Sequence, residues 1–259
     1  MNIKRIARSK KPDEHAIAPS PAGSLDAQWA ALNAALERLD LAKPQPAHPA
    51  GRLLVALDLT ASRAESLKQA RSATAQMLAS IKAVGKVAVK LLYFRGDECK
   101  ATAWHDDAEK VTGAMLSLSC KTGHTQIARV LKLALAEKEK LSGVVLVGDH
   151  CEDNPDELLH LAATLGGRSI PLFVFHEVVD HDHHALQARP VFEQMARLSG
   201  GVYSEFRPDS GAILRELLST VAAFSVAGRE GVKQIAQPVT APARQLQSSL
   251  LMLTAPKDK

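Results

Sequence analysis

The chain is poor in aromatic residues, which make up 4% of it, with only two Trp, two Tyr and six Phe. A large core must therefore be built from Ala, Leu and Val, as when helices cover a buried sheet. Only three cysteines are present, Cys99, Cys120 and Cys151, and no CxxC pair is among them. That number and spacing excludes a disulfide framework and a cysteine-based zinc motif. No apolar run approaches the roughly 18 residues that a membrane helix needs, and no apolar segment of signal-peptide type follows the basic start. The simplest expectation is a reduced, cytoplasmic protein. Catalytic signatures are lacking too: there is neither a GxSxG elbow nor a GxxxxGK[ST] phosphate loop.

What is present is a 46% apolar chain of 259 residues, long enough for one large α/β domain with extensions. The net charge is +4, and Lys4, Arg5, Arg8, Lys10 and Lys11 crowd the first dozen residues. Residues 1–23 read as a disordered basic tail ending in a Pro-, Ser- and Ala-rich stretch. Such an arm can touch phosphates, but no recognition helix or aromatic stacking platform accompanies it. Ser24 then opens an amphipathic helix carrying Trp29, Leu32, Ala35, Leu36 and Leu39, and a Pro-rich linker completes the 24–49 segment.

The main domain is expected over residues 50–228. Leu53–Leu57, Gly143–Val147 and Ile170–Phe175 are continuous apolar runs, the mark of parallel strands covered on both faces. Helices are predicted between them at about Glu65–Val84, Asp106–Ser117, Gln126–Lys140, Asn154–Leu165, Val191–Leu198 and Arg207–Ala227. Lys86–Phe94 and Cys99–Trp104 read as a hairpin turning at Gly96-Asp97, and Val202–Phe206 as a last short strand. The alternation predicts an α/β fold: a mostly parallel sheet with one antiparallel edge strand and helices on both faces. Residues 229–259 are expected to be a C-terminal tail with a short amphipathic stretch at Leu246, Leu250, Leu251 and Leu253.

Asp58, Thr60 and Ser62 close the first strand, and alternate residues of an extended segment point the same way. Asp149 ends a second buried strand, and Thr125 opens a helix between them in sequence. Two carboxylates and three hydroxyls form an all-oxygen set of low charge, which suits a hard cation. Zinc prefers nitrogen and sulfur, which these five residues do not supply. Asp58-Leu59-Thr60-Ala61-Ser62, then Thr125, then Asp149 resembles the metal-ion-dependent adhesion site (MIDAS) of von Willebrand factor A (VWA) domains, and the resemblance runs from Gly51 to about Ala227.

That resemblance implies a Rossmann-like three-layer fold with Mg²⁺, or Mn²⁺, held by Asp58, Thr60, Ser62, Thr125 and Asp149. It further implies an open coordination position that accepts an Asp or Glu of a protein partner, and a binding module rather than an enzyme. Intracellular bacterial members of the family work beside AAA-type ATPases, so an ATPase of that class is the partner it points to. His124 and Gly148-Asp149-His150 depart from the family's usual Gly-Thr and hydroxyl-Asp-Gly. They put histidine at the rim, beside His181, His183 and His184 of the tract His176–His184, which reads as a polar loop. A second metal site in that tract, a redox role for Cys120 and Cys151, a metal-dependent phosphohydrolase and a nucleic-acid-associated protein are the alternatives. For the phosphohydrolase, Thr60 stands where a general acid would be needed.

Overall fold

The computed structural model describes residues 51–63, 67–68, 72–73, 86–179, 181–207 and 210–252. The basic tail 1–23, the 24–49 helix and linker, and nearly all of the helix predicted over 65–84 lie outside the described residues. Six strands form one sheet: β1 (Gly51–Asp58), β2 (Val87–Arg95), β3 (Glu98–Ala101), β4 (Gly143–Gly148), β5 (Leu172–Glu177) and β6 (Tyr203–Phe206), in the order β3-β2-β1-β4-β5-β6. All pairs are parallel except β2 with β3, which is antiparallel at the edge. This is the mixed α/β sheet that the strand–helix alternation predicts.

The sheet is covered on both faces because its central strands are apolar at every position over Leu53–Leu57 of β1 and Val144–Val147 of β4. Leu53, Val55 and Leu57 of β1 point to one side, where α1 (Ala108–Leu116), α5 (Gly211–Gln234) and α6 (Ala241–Met252) pack. Leu54 and Ala56 point to the other, against α2 (Ile127–Ala136), α3 (Pro155–Gly167) and α4 (His183–Ser199). α5 has the length and hydropathy of a membrane-crossing helix. Here it is a core helix that buries Leu214, Leu217, Leu218 and Val221 and breaks at Ala227 and Gly228.

Four expectations shift. α2 stops at Ala136 rather than Lys140, because the Glu137 carboxylate is drawn onto the sheet by Lys90 Nζ at 2.5 Å and Trp104 Nε1 at 3.3 Å. β5 runs two residues further than expected, so His176 and Glu177 are buried strand residues and not part of a polar loop. α4 begins at His183, eight residues before the predicted Val191, because Asp182 caps it by accepting from the His184 and Ala185 amides. Pro190 lies inside α4, where it has no amide to donate. Finally, the packed unit continues beyond residue 228. α6 buries Ala243, Leu246 and Leu250 in the same core as β1, where the sequence reading has a tail.

The strand order fixes where a ligand can sit. From β1 the chain moves outward to β2 and β3, then crosses to the other side of β1 to lay down β4. The crossovers on either side of the β1–β4 seam diverge, opening a crevice past the C-terminal ends of those two strands. Asp58 ends β1, and Asp149 follows directly on β4.

Candidate metal centre

Four of the five proposed oxygen donors are buried: Asp58, Thr60, Thr125 and Asp149; Ser62 is exposed. Asp58 Oδ1 accepts from the Thr60 amide at 2.8 Å and from the Thr60 hydroxyl at 2.6 Å. Thr60 Oγ1 lies 3.1 Å from Ser62 Oγ. The single Thr60 hydroxyl proton is committed to Asp58, so Ser62 is the donor in the second contact. Hydroxyl oxygen has two lone pairs. Thr60 therefore keeps one lone pair and Ser62 two for an electrophile.

The β4 end lies alongside. A Cβ on Gly148 would stand 3.5 Å from Asp58 Cβ and 3.7 Å from Asp58 Oδ2. Asp149 Oδ1 accepts from the His150 amide at 3.0 Å. Thr125 is tied to both neighbours through its loop and directly to neither aspartate. Upstream, the Lys121 amide bonds the Leu59 carbonyl at 3.0 Å, and Thr60 and Lys121 form a parallel bridge. Downstream, Thr125 Oγ1 donates to Asp153 Oδ2 at 3.1 Å and accepts from the Glu152 amide at 2.8 Å. It too retains one lone pair. The structure thus brings Asp58, Thr60 and Ser62 into contact, sets Asp149 beside them through Gly148, and holds Thr125 on the loops that flank both. Two carboxylates with three hydroxyl oxygens that still carry lone pairs fit a hard divalent ion that keeps some of its water.

Sequence reasoning missed the residues that hold this rim. Asp153 caps α2 from a different loop, accepting from the Ile127 amide at 2.9 Å and the Ala128 amide at 3.1 Å. Glu152 accepts from the Thr125 amide at 2.8 Å. Burial raises the Glu152 pKa, but the Thr125 amide and His124 outweigh it and leave it below the ordinary value. On the other flank, Gln126 Nε2 donates to the Gly96 carbonyl at 2.7 Å, and Arg95 Nη1 donates to Ser119 O at 2.7 Å. Gly123 touches the β2–β3 turn so closely that a Cβ there would come within 2.3 Å of Gly96 Cα. No local pattern announces these contacts, which join residues far apart in the chain.

The rim histidines divide. His150 Nε2 lies 2.8 Å from Asp182 Oδ2 and 3.8 Å from Asp149 Oδ2, and its ring meets His184 edge-on at 5.6 Å. Burial lowers the His150 pKa, but Asp182, Asp149 and Asp58 outweigh it and hold it above the ordinary value. His124 is exposed beside Glu152, at 3.3 Å. His181, with φ of 68°, and His183 are exposed at the start of α4. Among the described residues no group of three or more His, Cys, Asp or Glu is arranged to hold a metal. The Cys151 thiol is pushed up to about 12 by burial and then by Asp153, which leaves it protonated and unreactive at neutral pH.

No family model matches the sequence, and no curated protein does. Solved structures do match. BatB from Bacteroides thetaiotaomicron is 15% identical with a TM-score of 0.52, over 65% of this chain and 95% of that one. The vWF domain of the type V pili tip protein Mfa5 from Porphyromonas gingivalis is 10% identical with a TM-score of 0.52, over 68% and 96%. Proximal thread matrix protein 1 of the mussel byssus, with a zinc-occupied MIDAS motif, is 12% identical with a TM-score of 0.50, over 65% and 45%. Together with the strand order and the antiparallel edge, these likenesses give the chain the fold of a VWA domain.

Proposed function

We propose that the protein is a metal-dependent protein-binding module. Asp58, Thr60, Ser62, Thr125 and Asp149 would hold a divalent ion, Mg²⁺ or Mn²⁺, and an Asp or Glu of the partner would complete its shell. The observation that carries this reading is the Asp58–Thr60–Ser62 cluster at the β1–β4 crevice, in which the Thr60 hydroxyl donates to Asp58 and lies 3.1 Å from the Ser62 hydroxyl. An ion with only two protein carboxylates stays electrophilic, which favours capture of a third, from outside. The zinc-occupied MIDAS of the byssus protein shows that this fold can carry a divalent ion there. A cytoplasmic setting and an AAA-type ATPase as the partner belong to the same proposal. Binding is favoured over catalysis because Thr60 stands where a phosphohydrolase would need a general acid.

The test is isothermal titration of the chelator-treated full chain with Mn²⁺, alongside thermal unfolding. Saturating Mn²⁺ at a hundred times its Kd stabilises the folded state by about 2.7 kcal/mol. Wild type should bind one ion and melt higher, whereas Asp58→Ala should do neither. Unchanged melting of the wild type at millimolar Mn²⁺ would refute the proposal.

A further inference from the structure

His176 is fully buried in β5, after the apolar run Leu172–Phe175 and beside the buried Glu177. It is no part of the oxygen set, yet its Nε2 lies 2.9 Å from the main-chain carbonyl of Asp149. Its Nδ1 lies 2.8 Å from the Tyr203 hydroxyl on β6, and its ring stands edge-on to Phe192 of α4 at 5.0 Å. Tyr203 in turn reaches Glu205 at 2.7 Å, and Arg189 of α4 pairs with Glu205 at 2.6 Å.

A carbonyl oxygen only accepts, so Nε2 carries the hydrogen in its contact with Asp149. On the other side of the ring the Tyr203 hydroxyl donates to Glu205 Oε1 at 2.7 Å and turns its oxygen toward Nδ1 at 2.8 Å. The peptide following Asp149 lies where β4 ends and ladder pairing stops, so its carbonyl has no strand partner to orient it.

We propose that His176 is a positioning residue for the metal centre: its Nε2–H fixes the Asp149 peptide, and with it the direction of the Asp149 carboxylate. This rests on the metal-binding reading above. Groups that orient a metal ligand without touching the ion are worth about 10- to 100-fold in affinity.

The experiment measures Mn²⁺ affinity of the full chain for wild type, His176→Leu and His176→Gln, with the His176 tautomer assigned from its ring ¹⁵N shifts. His176→Leu fills the space without a donor and should weaken Mn²⁺ binding about 10-fold. His176→Gln can place an amide N–H near the Nε2 position and should restore most of that loss. Wild type should show a hydrogen on Nε2. Equal Mn²⁺ affinity in wild type and His176→Leu would overturn the inference, as would an Nδ1–H tautomer in wild type or a glutamine variant as weak as the leucine one. Should His176→Leu not fold, the tautomer and the glutamine variant still decide. A wild type that binds no Mn²⁺ would instead sink the metal-binding reading, and this inference with it.

Discussion

Replacing Asp153 by alanine tests how the rim is braced. One carboxylate satisfies the first two free amides of α2, at Ile127 and Ala128, and accepts the Thr125 hydroxyl proton as well. Gln126, the residue at the N-cap position, makes no side-chain cap bond, so Asp153 provides that service from another loop. Losing a capping side chain costs about 1 kcal/mol and up to about 2. Losing a negative charge at a helix N-terminus costs about 0.3–1 kcal/mol more. The sum is about 2 kcal/mol, or a fall in Tm of roughly 4–8 °C for a domain of this size. Asp153→Asn keeps an acceptor without the charge and should lose about half as much. Thermal unfolding in chelator measures the stability, and hydrogen exchange of the amides at residues 127 and 128 locates it. A Tm within about 1 °C of wild type, with those amides still protected, would refute the claim that α2 is capped across loops.

Two further outcomes follow from contacts on either side of the sheet. Gly123→Ala forces a Cβ to within 2.3 Å of Gly96 Cα, so the loop bearing Thr125 must move off the β2–β3 turn. Mn²⁺ affinity, read by titration, should fall several-fold, whereas Gly167→Ala, whose Cβ meets nothing within 4 Å, should leave it unchanged. Glu216 accepts from the Val239 and Thr240 amides and the Thr240 hydroxyl, anchoring the start of α6. Burial raises its pKa, but the Thr240 and Val239 contacts outweigh it and leave it below the ordinary value. Its contribution is therefore complete above the unfolded-chain pKa of about 4.3 and is lost as pH falls through the folded value. In chemical unfolding, Glu216→Gln should be less stable than wild type by about 1 kcal/mol at pH 7, with the gap closing toward pH 3. A gap that stays constant with pH would contradict the assignment.

The central strands were legible because burial on both faces leaves no alternation: Leu53–Leu57 and Val144–Val147 are apolar at every position, whichever face each residue meets. The carboxylates at their ends were legible for the same reason, since Asp58 and Asp149 stand out against those runs. Which strands are neighbours was not, because register and order depend on crossovers and not on any strand's own residues. The start of α4 was hidden by histidines that read as polar loop, whereas the deciding feature is the single cap at Asp182. The docking of α6 was equally hidden, because an amphipathic stretch around Leu246 and Leu250 says only that one face seeks cover. Asp153 was hidden for a different reason. It precedes Asn154, which caps its own helix α3 through Asp156 and Glu157, and a second cap one residue earlier has no local use.

These details bear on why the crevice can keep acidic groups together. Asp58 and Asp149 are buried at neighbouring strand ends, with Asp153 and Asp182 on the loops around them. Like charges in such a setting repel unless something compensates. The protein supplies part of that from fixed donors: the Thr60 amide and hydroxyl on Asp58, the His150 amide on Asp149, the α2 amides on Asp153, and the α4 amides with His150 on Asp182. Asp153 and Asp182 each receive two amides from a helix start as well as a side-chain partner. Asp149 receives one amide at 3.0 Å, and His150 Nε2 stands only as near as 3.8 Å. Of the four, Asp149 is therefore held by the least fixed positive potential and gains most from a cation in the crevice. Its direction matters most for the same reason, and that direction is what the buried hydrogen bond from His176 controls.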